Sequence, residues 1–365
     1  MIGRIERYVL VRMMNAAGVA LSVLWAVVAL VQFVDLSRTV GVRADVSVAQ
    51  LFLLTLLRVP AILVVLAPFV FLFGGIGAFV GLNRTSELVA VRAAGISAWR
   101  FIFPSAAAAL LIGVATVTVL NPAAAALNAQ YDALRGQLMD SANVHAPRDV
   151  WLRQGDETTQ IVIHARGRAT VRDQVRLRGV SLFIYQKTPR GNFEFRRRLE
   201  AGEATLQPGF WRLTDVREAT AGENTVRSDT MTIRSSLDSE AAMARFASPE
   251  AIAFWRLPAA IRQTEQAGFS AATYRLRYAQ LLATPVLFAA MSILAAAFSL
   301  RLSRLGGLAG LAGVGVALGF LFFFFNEFSG ALADAGAIPL FAAAWAPPVV
   351  ALLSGLTLLC YTEDG

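Results

Sequence analysis

Two histidines, one cysteine and one lysine carry the widest chemical repertoire in this chain, and none stands in a reactive pattern. His145 and His164 occur singly, outside HExxH or any comparable ligand spacing, so they are read as surface or strand histidines. No G-x-S-x-G elbow is present, and Cys360 falls in an apolar run with no partner to activate it. A P-loop needs a lysine after a Gly-rich turn, because that amine reaches the β- and γ-phosphates. Lys187, the only lysine, stands in "IYQKTPRG" with no glycine before it. No catalytic residue, metal site or cofactor is therefore expected in this chain. If ATP drives its action, another subunit must bind the ATP and Mg.

The remaining chemistry belongs to arginines and carboxylates at the ends of apolar blocks. Asp35 and Arg38 close the first block, Arg58 precedes Pro60 at the start of the second, and Glu327 ends the fifth. Ionisable groups in spans are functional candidates because burying them is expensive. These lie near one boundary and not at mid-membrane, which disfavours an ion-coupled relay. Two readings remain open: interfacial anchors, or a cationic rim meeting a phosphorylated amphipathic substrate. Arginine suits phosphate because its fork donates two parallel hydrogen bonds.

The elements that position these residues follow from composition. The chain has 365 residues, of which 56% are hydrophobic and 16% charged, with a mean hydropathy of +0.57. The apolar excess collects into blocks of about 20 residues or more, the length a helix needs to cross a bilayer. These blocks are Met13–Val34, Val59–Val80, Phe101–Leu120, Tyr278–Leu300, Leu305–Asn326 and Ala335–Cys360. The first is too long for the h-region of a signal peptide and is read as a span. Between the third and fourth blocks lies a segment richer in charge, glycine and β-formers. The predicted organisation is residues 1–137 as three spans, 138–248 as an exported domain, and 249–365 as an amphipathic linker with three further spans.

The net charge of +8 reports topology and not nucleic-acid binding. Arg4, Arg7 and Arg12, then Arg84, Arg92 and Arg100, then Arg301 and Arg304 fall on one side if six spans alternate. By the positive-inside rule that side is cytoplasmic, so both termini face the cytoplasm and the inserted domain faces outward. With Cys360 placed in a span, the exported domain has no disulfide to hold it.

Period-two alternation recurs through the insert, in "TTQIVIHA", "VSLFIYQ", "NFEFRRRLE" and "FWRLTDVRE". Turn signals such as "RQGDE", "TPRGN" and "AGEN" separate these runs, which predicts an antiparallel all-β sandwich or roll. An amphipathic helix follows over "SPEAIAFWRLPAAIRQTEQ", with a stop at Gly268 and a restart at Ser270. Arg262, Arg275 and Arg277 decorate this approach, as anchors or as contacts to an anionic ligand. In the fifth span, glycines suit close helix packing, and the Phe run that includes Phe322 and Phe325 suits lipid contact or a cavity for acyl chains.

The loop "NRTSELVAVRAAGIS" between the second and third spans is unusually polar and helix-prone. Thr85 is expected to cap a short helix, with Glu87 at its positive end, Leu88 and Val91 on one side, and Gly95 as the stop. Without a P-loop in the chain, this cytoplasmic helix is the natural place for an ATPase to push.

Several stretches resemble the lipopolysaccharide-export permease family, LptF and LptG. They are "SELVAVRAAGIS", "QFVDLSR", "YRLRYAQLLATPVLFAAMSILAAAFSLR", "FFFFNEFSGALADAGAIP" and "AAWAPP". The likeness covers nearly the whole chain and is closer to LptG. It implies a six-helix polytopic protein of the Gram-negative inner membrane, with a jellyroll-like periplasmic β-domain between helices 3 and 4. It also implies an ABC exporter that extracts lipopolysaccharide from the outer leaflet and passes it to a transenvelope bridge. The implied partners are an LptF paralogue, an LptB ATPase dimer and LptC. The loop helix becomes the coupling helix, with Glu87, Leu88, Val91 and Arg92 as ATPase-coupling residues. Arg38, Arg58, Arg135, Phe322 and Phe325 become substrate-binding candidates, although Gln32 stands where the family often has lysine. Outside this resemblance, a non-transporting envelope scaffold or sensor, or a mechanotransmission subunit, remains compatible with the residues.

Overall fold

The structure is a computed structural model describing residues 3–41, 46–141, 150–155, 158–171, 174–188, 193–207, 209–220, 225–235, 251–266, 270–302 and 308–363. Helix α1 (Arg4–Leu36) runs on into a π-helical turn at Ser37–Gly41, and α2 spans Val48–Arg84. The loop helix α3 is Glu87–Ala93. Helix α4 (Ala98–Ala115) passes through a second π-helical turn, Thr116–Leu120, into α5 (Asn121–Ser141). After the insert come a 3-10 turn at Phe254–Arg256 and α6 (Leu257–Gln266). Helices α7 (Ala272–Leu302), α8 (Leu308–Asp334) and α9 (Leu340–Glu363) complete the chain.

Among the described residues, six helices are long and apolar enough to cross a membrane. Their packing is uneven. The most apolar stretch of α7 is 61% buried and that of α2 56%, against 22% for α8 and 11% for α1. Helices α2 and α7 therefore form the centre, and α1 and α8 leave broad apolar faces open. Met13, Phe69, Leu72, Ala109, Phe288, Leu294, Phe322 and Ala351 bring all six spans into one core. Glycine sets the closest approach, because a Cβ on Gly74 would lie 2.6 Å from Cα of Ala17. In the fifth span Gly315 and Gly319 face side-chain ends of Ile76 and Phe73, so these glycines serve packing.

Six antiparallel strands form the insert: β1 (Val150–Gly155), β2 (Thr159–Val171), β3 (Gln174–Lys187), β4 (Phe193–Gln207), β5 (Phe210–Thr220) and β6 (Val226–Arg234). They lie in sequence order in one sheet, a meander and not a Greek key. The sheet buries its own inner face, with Ile163, Leu177, Leu182, Leu199, Leu206, Trp211 and Leu213 in one cluster.

A single sheet encloses a core because its alternation slips in phase. Buried residues in β3 run through Leu177 and then Val180; in β4 through Ala201 and then Ala204; in β5 through Leu213 and then Val216. The slips align across neighbouring strands, since Arg178 pairs with Glu203 and Glu203 with Thr214, while Val180 pairs with Ala201 and Ala201 with Val216. Gly179 (φ 59) and Asp215 (φ 52) adopt left-handed backbone on this line. Left-handed backbone bends a strand, and here it creases the sheet along one line without shifting the pairing register. Of the roll or sandwich expected from the sequence, the roll is found.

Candidate functional site

Two clusters gather the candidate residues, one at each end of the bundle. The first is built around α3. Contrary to expectation, Thr85 does not cap α3: it ends α2, and its hydroxyl donates to Glu87 Oε1 at 2.9 Å. Ser86 occupies the cap position at φ 58, and Gly95 provides the stop at φ 78. The physical reason is the tight reversal between α2 and α3, which places a left-handed residue where an extended cap would stand.

Leu88 and Val91 do share one side of α3, and that side faces the bundle. Leu88 is 4% exposed and packs with Val9, Leu82, Phe101, Leu300 and Leu359, and Val91 and Ile96 lie against the same cluster. The outward face consists of Val89, Ala90 and Ala93, with Val89 59% exposed. Sequence reasoning overlooked these three, although they are the helical complement of the Leu88 side. Arg92 is half-buried, and its Nη2 donates to the carbonyl oxygen of Thr362 at 3.5 Å.

Glu87 is half-exposed at the rim of a cleft of about 180 Å³ whose floor includes Val9, Leu82, Leu88 and Phe101. Hydrogen bonds from Tyr8 and then Thr85, with the nearby charge of Arg12, hold its carboxyl below the usual glutamate range. Arg12 Nε in turn donates to the Tyr8 hydroxyl at 3.1 Å. A second tie joins the same end of the bundle, where Arg100 Nε meets Glu6 Oε1 at 2.9 Å. Arg4, Arg7, Arg12, Arg84, Arg92 and Arg100 all stand on the α1 start, the α2 end, α3 and the start of α4.

At the opposite end, the three rim arginines are held in different ways. Arg38 is exposed on the π-helical turn after α1. Arg58, on α2, donates from Nη1 to Oδ1 of Asn128 on α5, a fully buried residue. The Asn128 amide donates to Asp132 Oδ2 at 3.4 Å. Two guanidinium groups lie over Tyr131, with Arg58 5.4 Å and Arg135 6.0 Å from its ring centroid. Arg58 and Arg135 thus share one aromatic platform, and Arg38 stands between Leu36 and Val40, which belong to the same apolar cluster as Tyr131. Phe322 is in the bundle core and Phe325 is partly buried against it, whereas Phe320, Phe324 and Phe328 are exposed.

The linker arginines are placed differently again. Arg275 pairs with Glu265 at 2.6 Å, joining α6 to α7, and the Ser270 hydroxyl accepts from the Ala272 amide at the start of α7. The π-helical turn after α4 receives the end of the insert: Phe254 N donates to Asn121 Oδ1 at 2.9 Å and Trp255 Nε1 to the Thr118 carbonyl at 3.1 Å. His145, Gly268 and Arg304 lie outside the described residues. His164 stacks on Trp151 with ring centroids 4.3 Å apart.

Three spanning-type helices, an inserted β-roll and three more spanning-type helices define a polytopic helical membrane protein with an interrupted bundle. Residues 7–361 match the family described as lipopolysaccharide export system permease LptF/LptG, and the chain belongs to that family. It is accordingly a permease component of lipopolysaccharide export and an integral membrane protein. No curated protein matches the chain.

Proposed function

We propose that the chain is a transmembrane subunit of an ABC-type exporter that extracts lipopolysaccharide from the outer leaflet of the inner membrane. ATP is hydrolysed on a separate LptB dimer that docks on α3, and the chain itself supplies motion and binding. The observation that carries this reading is the seating of α3: Leu88 anchors it in the bundle, while Glu87 and the Val89–Ala90–Ala93 face remain accessible. The arginines at this end support a cytoplasmic orientation for both termini and a periplasmic one for the β-roll.

The open faces of α1 and α8 suit an LptF paralogue, and the α1 face also suits the transmembrane helix of LptC. At the far end, exposed Arg38 and the Arg58–Tyr131–Arg135 cluster suit the phosphates of the lipid. Lipid leaving the membrane then reaches the transenvelope bridge by way of the periplasmic β-domain. Depletion of the chain tests the reading. Lipopolysaccharide is expected to accumulate in the inner membrane, and its undiminished arrival at the outer membrane would sink the proposal.

A further inference from the structure

Among the described residues, the rolled sheet has two edge strands, β1 and β6, each paired with one neighbour. One side chain on β1 reaches across to the end of β6. Gln154 is 3% exposed, and its amide group is satisfied from the other side of the roll. Its Oε1 accepts from Trp211 Nε1 on β5 at 3.2 Å and from Ser235 Oγ, just past β6, at 2.9 Å. Its Nε2 donates to the Arg234 carbonyl at the end of β6, at 3.4 Å. The Ser235 amide donates to the Gly209 carbonyl at 2.9 Å, so the receiving end is itself fixed to the turn between β4 and β5.

We propose that Gln154 is a latch that holds the β1–β6 seam of the roll closed. The elements elsewhere in the sheet are joined by continuous main-chain ladders, from six paired positions between β1 and β2 upward. Among the described residues the link between β1 and the end of β6 depends instead on side chains: Gln154 makes two bonds to that end and a third to Trp211 on β5. A buried amide loses its partners as a unit when the edges part, so the closed state is favoured until water or another polar group replaces them. Trp211 forms the inner wall behind the latch and is fully buried. Release of Gln154 therefore exposes the apolar interior first at this corner. The inference concerns the β-roll alone and stands whether or not the transport reading does.

Hydrogen exchange on the full-length chain in its membrane complex tests it. Gln154→Met keeps the side-chain length and removes the three bonds. Amides of β1 and of the last residues of β6 are expected to lose protection by about tenfold, with β3 and β4 unchanged. Unchanged exchange in β1 and β6, or equal loss in all strands, would overturn the latch. Ser235→Ala keeps the other two bonds and is expected to give a smaller loss in the same two strands. Loss that begins in β3 or β4 would again overturn it.

Discussion

The Arg92 guanidinium donates to the carbonyl oxygen of Thr362 at 3.5 Å, joining the short loop helix to the last turn of the last span. Leu88 belongs to the same buried cluster as Leu300 and Leu359, so α3 is seated on the bundle. Arg92 ties it to α9, and the hydrogen bond between Tyr8 and Glu87 ties it to α1.

That arrangement divides α3 into a face seated in the bundle and an exposed face, the proposed docking surface. Val89→Arg places charge on the exposed side and is expected to abolish co-purification of the ATPase while leaving membrane insertion intact. Leu88→Ala opens a cavity in the seat and is expected to lower the stability of this end by about 2–5 kcal/mol. Thermal unfolding of the two variants separates the faces; equal Tm losses would contradict the division.

Glu87→Lys reverses the charge at the start of α3 and is expected to weaken ATPase association. A pull-down with the same yield as the parent would remove Glu87 from the docking site.

The same carboxylate makes a prediction in pH. Its folded pKa is depressed, so its contribution is complete above the ordinary glutamate value and is lost as pH falls through the folded value. Tyr8→Phe removes the largest cause and should move the Glu87 titration upward, toward the ordinary range. Side-chain carboxyl NMR reads this directly, and an unmoved titration would show that Tyr8 does not hold the group.

Arg38 and Arg58 are expected to behave differently despite their similar sequence positions. Arg38→Ala leaves stability unchanged and reduces crosslinking to phosphorylated lipid, because Arg38 is exposed. Arg58→Ala strips a donor from buried Asn128 and should cost about 1–3 kcal/mol of stability. A stability loss at Arg38 with none at Arg58 would reverse the assignment.

Asp215 tests the crease that rolls the sheet. Asp215→Gly suits a φ of 52 and is expected to fold at least as well as the parent, whereas Asp215→Val is strained there by about 1–3 kcal/mol. Denaturant midpoints that rank valine above glycine would exclude the crease as the source of the bend.

Much of this architecture was readable from patterning alone. Uncharged blocks of spanning length marked the helices, and period-two runs marked the strands, because both reflect burial over consecutive local residues. The roll was harder. Leu177 and Val180 are both inward, which breaks strict alternation, and the reason appears only when Gly179 aligns with Gly202 and Asp215 on neighbouring strands. Helical spacing grouped Leu88 with Val91 but carried no information on whether that side met solvent or the bundle. Arg58 looked like a free rim charge because Asn128, its partner, is seventy positions away. Local spacing does not reveal such long-range capture.

The most direct test of the account is ATP-dependent release of lipopolysaccharide from proteoliposomes holding this chain, its paralogue and the ATPase. The parent assembly is expected to release lipid to a periplasmic acceptor only with ATP. The Val89→Arg assembly, correctly folded, is expected to release none. Release by that variant at the parental rate would contradict the claim that α3 couples ATP hydrolysis to lipid extraction.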